Sequence, residues 1–307
     1  TSFLGSVWGN LTTAIEKSRN ISSDELDRYL NEGLAMGQAS NAVDYKLADG
    51  LRYRYEVENC VKEMAGQDVK GKLKTAGVDK IVSIKVKEKE NKNKIAVLYA
   101  EGEIRDEDSS SPFSADEQVI SEEMANKLRK LKDDDDVKAV VFRVNSPGGS
   151  AYISEQIWKE VVELKAKKPI VVSMGNYAAS GGYYISCAAN KIVAERTTLT
   201  GSIGVFGVVR NFTGTFDKVG VTTDIVKTNT FADLGDISRP MREDEKALIQ
   251  RGVEQTYDLF LTRCADGRGM TKAEIDSIGQ GRVWTGEQAL ERGLVDQLGG
   301  MDDAIKE

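Results

Sequence analysis

The sequence has 307 residues, a formal net charge of −7, 40% apolar and 30% charged residues, enough for one large globular domain or for one domain plus a substantial extra piece. The acidic balance argues against a general nucleic-acid binder, which carries a basic face. The chain contains no histidine, which excludes a Ser-His-Asp triad, a Cys-His dyad and any histidine-ligated metal; a nucleophile here needs a lysine, a carboxylate or a group from another chain as its base.

The chain opens TSFLGSVWGNL, which reads as the middle of a helix, so a fragment of a longer polypeptide is expected. A helical stretch over residues 3–18 is followed by a capping box, Ser22 with Glu25, that opens a short second helix. The same order recurs near the other end. Residues 248–266 parallel 3–18, RGMTKAEID (268–276) echoes RNISSDELD (19–27) with Thr271 and Glu274 as its capping box, and ALERGLVD (289–296) echoes AVDYKLAD (42–49). Three resemblances in one order point to a tandem duplication of which residues 1–65 are the tail of the first copy.

Residues 66–94 form a Lys/Glu-rich connector in which Val82, Ile84 and Val86 alternate with polar residues, predicting one half-exposed strand. From residue 95 the pattern is α/β. Residues 95–99 and 137–144 predict buried strands, and Ser114 with Glu117 predicts a cap for a helix running to about Lys132. The dense acidic run Asp133 to Asp136 reads as a solvated turn. Ile153, Ile157, Val161 and Leu164 mark one helix face; residues 170–174 predict a strand, 183–189 a small-residue helix, and 192–194 and 205–209 further strands. Alternating strand and helix predict a mainly parallel sheet, whose chemistry sits at the carboxyl ends of its strands. Cys60, Cys187 and Cys264 are far apart with no CxxC pair, so neither a zinc site nor a disulfide scaffold is expected, and no stretch approaches the ~20 apolar residues that span a bilayer.

Three glycine-bearing turns follow predicted strands. In Asn145-Ser146-Pro147-Gly148-Gly149-Ser150 the glycines free backbone N–H groups, which suits stabilisation of a developing oxyanion and equally an ordinary strand-to-helix turn. In Ala178-Ala179-Ser180-Gly181-Gly182-Tyr183 a serine among small residues follows the logic of a nucleophile elbow, without the GxSxG pattern, or simply caps the next helix. Thr200-Gly201-Ser202-Ile203-Gly204 alone is a turn with a polar side chain.

Together, NSPGG, ASGGYY and TGSIG, with VWTGEQALERGLVDQLGG downstream, make the sequence resemble the serine peptidases of the signal peptide peptidase A family over most of residues 95–307, in its long, two-repeat form. The resemblance implies a Clp protease/crotonase-like α/β fold with a mainly parallel sheet, preceded by the helical tail of a first repeat. It implies Ser180 as nucleophile, the Gly149 and Gly181 N–H groups as oxyanion hole, and Ser202 as the residue that orients a lysine base. Where short members of the family carry that lysine, this sequence has Thr230; the resemblance therefore places the base in the missing first repeat, with Lys227 as the one nearby substitute. It further implies no cofactor or metal, remnant signal peptides and other apolar peptides as substrates, a ring-like homo-oligomer (a tetramer), and a bacterial inner-membrane location with the catalytic domain on the extracytoplasmic side. Tyr177, Tyr183, Tyr184 and Phe206 lie near the site in sequence, core packing being their simpler role. The competing readings are a crotonase-type acyl-CoA enzyme, which needs no serine at 180, and a non-catalytic scaffold half.

Overall fold

The computed structural model describes residues 2–32, 37–82, 93–106 and 118–307. The chain forms two compact units, Thr1–Asn91 and Lys92–Glu307.

The first unit is helical: α1 (Ser2–Arg19), α2 (Ser23–Asn31), α3 (Ser40–Asp44), α4 (Arg54–Met64) and α5 (Val78–Val82). Asn20, in the left-handed conformation at φ 53°, stops α1. Ser22 and Glu25 then form the expected capping box, the Ser22 Oγ accepting from the Glu25 N–H at 3.3 Å. Ile21, Leu26 and Tyr29 make a small core against Ile15, Tyr45 and Leu47, with Tyr29 and Tyr45 stacked at 4.0 Å. The loop closes electrostatically: Arg19 donates through Nε to the Lys46 carbonyl at 2.7 Å and through Nη2 to Asp49 at 2.9 Å. Val82 ends α5 instead of starting a strand, and Ile84 and Val86 lie outside the described residues.

The second unit runs β1 (Lys94–Glu101), β2 (Glu103–Ile104), β3 (Val119–Ile120), α6 (Glu123–Asp133), β4 (Val137–Ser146), α7 (Ala151–Lys165), β5 (Ile170–Ala179), α8 (Gly181–Tyr184), β6 (Lys191–Ala194), β7 (Leu199–Gly201), α9 (Thr213–Val219), α10 (Glu243–Arg268), α11 (Lys272–Ile278), β8 (Val283–Thr285), α12 (Gly286–Glu291), β9 (Gln297–Leu298) and α13 (Met301–Lys306). The main sheet has the order β1-β4-β5-β6-β9, every pair parallel. β5 changes neighbour along its length: Val171–Ser173 pair with β6, and Tyr177–Ala179 pair with β7. The core lies between the sheet and α6, α7, α8 and α10; the four α7 residues read from the sequence as one face, Ile153, Ile157, Val161 and Leu164, are all fully buried.

Three elements differ from the sequence reading. The helix placed from Ser114 to Lys132 begins only at Glu123, because Val119 and Ile120 pair with β2; Ser114 and Glu117 lie outside the described residues. The strand placed at 205–209 does not form: Phe206 and Val208 are exposed with no strand to pair, and the pairing segment is β7, just upstream. The 183–189 helix shrinks to α8, with its remainder in buried turns.

At the far end of the unit, Gly269 (φ 65°) ends α10, and Thr271 with Glu274 forms the second expected capping box. Arg268 donates through Nε to the Gly293 carbonyl at 3.0 Å and through Nη2 to Asp296 at 2.5 Å.

Candidate active site

Ser146 of β4 stands in register with Ala178 of β5, so the turns that follow these strands emerge side by side at the carboxyl edge of the sheet. The first turn is pinned from both sides. Ser146 Oγ accepts from the Gly148 N–H at 3.1 Å; the Gly148 carbonyl accepts from Ile104 N–H at 2.8 Å, and the Ile104 carbonyl accepts from Ser150 N–H at 2.7 Å. Gly149 sits at φ 146° against β2, where a Cβ would come 2.1 Å from the Ile104 carbonyl oxygen, so only glycine fits. Ser150 caps α7.

Ser180 has φ 53° and ψ −120°, a backbone strained for any residue but glycine. The strain is held in place. Its N–H donates to the Gly201 carbonyl at 2.9 Å and its carbonyl accepts from Tyr184 N–H at 2.9 Å. Two buried tyrosines then fix α8: Tyr183 donates to the Leu294 carbonyl at 2.9 Å, and Tyr184 to Glu155 at 2.5 Å. Burial, aided by Glu155, pushes the Tyr184 hydroxyl well above its ordinary pKa, so it remains a neutral donor.

The two turns converge. A Cβ placed on Gly148 would stand 2.7 Å from the Gly181 nitrogen and 2.8 Å from the Ser180 Cβ, and one placed on Gly181 would stand 3.2 Å from the Gly149 nitrogen. Neither the Gly149 nor the Gly181 N–H donates to an acceptor among the described residues. Two free amides beside a serine hydroxyl form a place where a carbonyl oxygen can gain negative charge. Ser180, Gly148, Gly149 and Ser202 share a groove of about 960 Å³. A smaller cavity of about 160 Å³ opens from Ser180 between α7, α8 and α10, lined by Ala151, Tyr184, Phe206 and Phe260 among others. Ser202, at φ 47°, is fixed by its N–H donating to the Arg282 carbonyl at 2.8 Å.

The sequence patterns of known families match the same stretches: that of Clp protease over residues 110–203, and that of Peptidase family S49 over residues 162–307. Protease 4 of Haemophilus influenzae is 36% identical over 99% of this chain and 50% of its own length, and Protease 4 of Salmonella typhi 37% identical over 99% and 49%. A protein of Enterococcus faecium named as signal peptide peptidase SppA is 38% identical over 75% of this chain and 67% of its own length. The chain belongs to peptidase family S49. It spans about half the length of the Protease 4 relatives, and its parallel sheet with flanking helices is the Clp protease type of α/β fold.

Among the described residues of this S49 chain, no lysine lines either cavity at Ser180. Lys227 is engaged elsewhere, 2.9 Å from Asp233 and donating to the Thr230 carbonyl at 3.3 Å. It belongs to an ion network in which Arg239 bridges Asp233 (2.7 Å) and Glu245 (2.6 Å), both carboxylates buried, with Arg242 joining from the start of α10. Lys227, with Arg239, holds Asp233 well below the usual carboxylate range, and Arg239 lowers Glu245 to about 2.

The groove also takes in residues that sequence reasoning did not single out: Glu103, Gln250, Val253, Glu254, Tyr257 and Gln280. Tyr257 donates to Asp276 at 2.6 Å and accepts from the Gln280 N–H at 3.0 Å, which holds Gln280 at φ 58°; burial and Asp276 push Tyr257 up to about 12. The available signal was the Gly279-Gln280-Gly281 run ahead of VWTG, a turn that closes on the Ser202 turn through Gly281 N–H donating to the Ile203 carbonyl at 2.8 Å. Of the aromatics near the site, Tyr183 and Tyr184 are buried, whereas Phe206 is 85% exposed and lines both cavities. Among the described residues no group of His, Cys, Asp or Glu is arranged to hold a metal ion, and no helix is long and apolar enough to cross a membrane.

Proposed function

We propose that this chain carries the nucleophile and oxyanion hole of a serine endopeptidase of the Ser-Lys type, and that the lysine base comes from outside it, from a first repeat. The observation that carries the reading is the convergence of the free Gly149 and Gly181 amides on a strained, groove-lining Ser180. Ser180 Oγ attacks the peptide carbonyl as its proton passes to the base. The carbonyl oxygen becomes the oxyanion between the two amides, each such donor being worth about 10²–10³ in rate. The C–N bond then breaks, the base returns its proton to the leaving amine, and water releases the acyl group by the same route reversed. Ser202, fixed beside the groove, orients the incoming lysine. The absence of lysine among the described residues that line the cavities, and the pairing of Lys227 with Asp233, support an external base.

Substrates are apolar peptides such as remnant signal peptides. Val205, Phe206, Val253 and Phe260 give the two cavities the apolar walls such chains require. The same reading places the working protein as a ring-like tetramer at the bacterial inner membrane, with its catalytic domain on the extracytoplasmic side.

The test is hydrolysis of an apolar fluorogenic peptide, with serine labelling by a fluorophosphonate. Turnover is expected only from the longer polypeptide that includes the first repeat, and both turnover and labelling vanish in Ser180→Ala. Labelling that survives Ser180→Ala removes Ser180 from its role. Robust turnover by the 307-residue chain that is lost in Lys227→Ala moves the base to Lys227.

A further inference from the structure

Ser202 is held from one side by a single turn, residues 279–282. The Ser202 N–H donates to the Arg282 carbonyl at 2.8 Å, and the carbonyl of its neighbour Ile203 accepts from the Gly281 N–H at 2.8 Å. The fit is close: a Cβ on Gly204 would stand 2.8 Å from both the Gly281 Cα and its nitrogen. The place of the Ser202 hydroxyl in the groove therefore follows the place of this turn.

The turn is strained. Gln280 and Gly281 are both left-handed, at φ 58° and 75°, and a glutamine in that region persists only where its surroundings hold it. Tyr257, from the middle of α10, is what holds it. The tyrosine hydroxyl accepts from the Gln280 N–H at 3.0 Å and donates to Asp276, near the end of α11, at 2.6 Å. It also stands 3.0 Å from where a Cβ on Gly279 would be, so the turn begins directly against it. Burial and Asp276 raise the Tyr257 pKa to about 12, which keeps the donated proton in place at neutral pH. One hydroxyl thus ties α10, α11 and the strained turn together.

We infer that Tyr257, oriented by Asp276, is a positioning residue for the peptidase reaction: it sets the 279–282 turn, the turn sets Ser202, and Ser202 sets the incoming lysine. The inference rests on the role proposed above for Ser202. Tyr257 also lines the groove, so the alternative is that it meets the substrate directly. The two differ in what its loss does once Ser202 is gone.

The experiment has two arms. Hydrogen exchange of the 307-residue chain, read by mass spectrometry, compares Tyr257→Phe with the parent. Exchange over residues 202–204 and 280–282 is expected to quicken at least about tenfold while β4 is unchanged. Equal exchange at both segments overturns the inference, and this arm needs no turnover. The second arm is a double-mutant cycle on hydrolysis of an apolar fluorogenic peptide by the polypeptide that includes the first repeat. Tyr257→Phe is expected to lower kcat about tenfold with KM within about twofold. Asp276→Asn, which keeps an oxygen for Tyr257 to donate to, should recover most of the turnover lost in Asp276→Ala. In a Ser202→Ala background Tyr257→Phe should cost nothing more. An additive loss there, or a loss carried by KM, makes Tyr257 a substrate contact and overturns the inference. If Ser202→Ala leaves kcat unchanged, the role proposed for Ser202 fails and the inference falls with it. If Ser202→Ala slows turnover and Tyr257→Phe does not, the inference alone fails.

Discussion

Arg19 and Arg268 close loops of the same chemistry, yet Asp49 is 91% exposed and, among the described residues, holds only its arginine, whereas Asp296 is 32% exposed and also accepts the Ile192 N–H at 2.7 Å. The first clamp ties a helix end to a surface loop. The second ties α10 through Asp296 to β6, and so joins the helix that walls the groove to the sheet that carries Ser180. The difference teaches that local code (left-handed stop, capping box, bidentate arginine) sets the shape of the hairpin, while burial decides what the clamp is worth.

The sharpest way to break that contrast is to remove each arginine. Arg268→Ala strands Asp296 and the Gly293 carbonyl and is expected to destabilise the second unit by about 3 kcal/mol. Calorimetry should show its transition falling by roughly 10 °C, with fluorophosphonate labelling of Ser180 declining in step with the folded fraction. Acid is the second lever. The folded-state pKa values of Asp233 and Glu245 are depressed, so the stability they contribute is present above the ordinary carboxylate range of roughly 4. It is lost as pH falls toward about 2, where Glu245 titrates. Titration followed by circular dichroism should therefore show an acid transition in this range that Arg239→Ala moves to higher pH. Next in size come the caps: Ser22→Ala and Thr271→Ala should each cost about 1 kcal/mol, because the cap is a local device and its worth does not depend on the unit. Arg19→Ala should cost under about 1 kcal/mol, as exposed pairs do. A loss as large as that of Arg268→Ala would refute the role given to burial. Asn20→Gly, which relieves a left-handed side chain, should change stability by only a few tenths of a kcal/mol.

The parts that the sequence made legible are those written in short-range signals. Both capping boxes, the strands at β4 and β5 and the α7 face depend on neighbours within one or two turns. The glycine turns were readable as turns, but their meeting entered only through the family resemblance: the approach of Gly148 to Gly181 follows from the β4–β5 register, which no local spacing encodes. The same holds for Tyr257 and Gln280, which come from helix and loop far downstream of Ser180 and reach the groove only through the packing of α10. The misplaced strand at 205–209 shows the converse error, since Val205, Phe206, Val208 and Val209 are residue types that favour strands but find no partner edge among the described residues.

The exchange of neighbours along β5 bears on how the protein fails when heated. Ser180 hangs from a strand bonded on one side to β4 and on the other first to β6 and then to β7, and its own amide is the last link to β7. Fraying one edge of the sheet cannot release it. The Ser180 amide proton should therefore exchange with solvent only through global opening, among the slowest in the chain, and thermal inactivation should coincide with cooperative unfolding of the whole second unit rather than precede it.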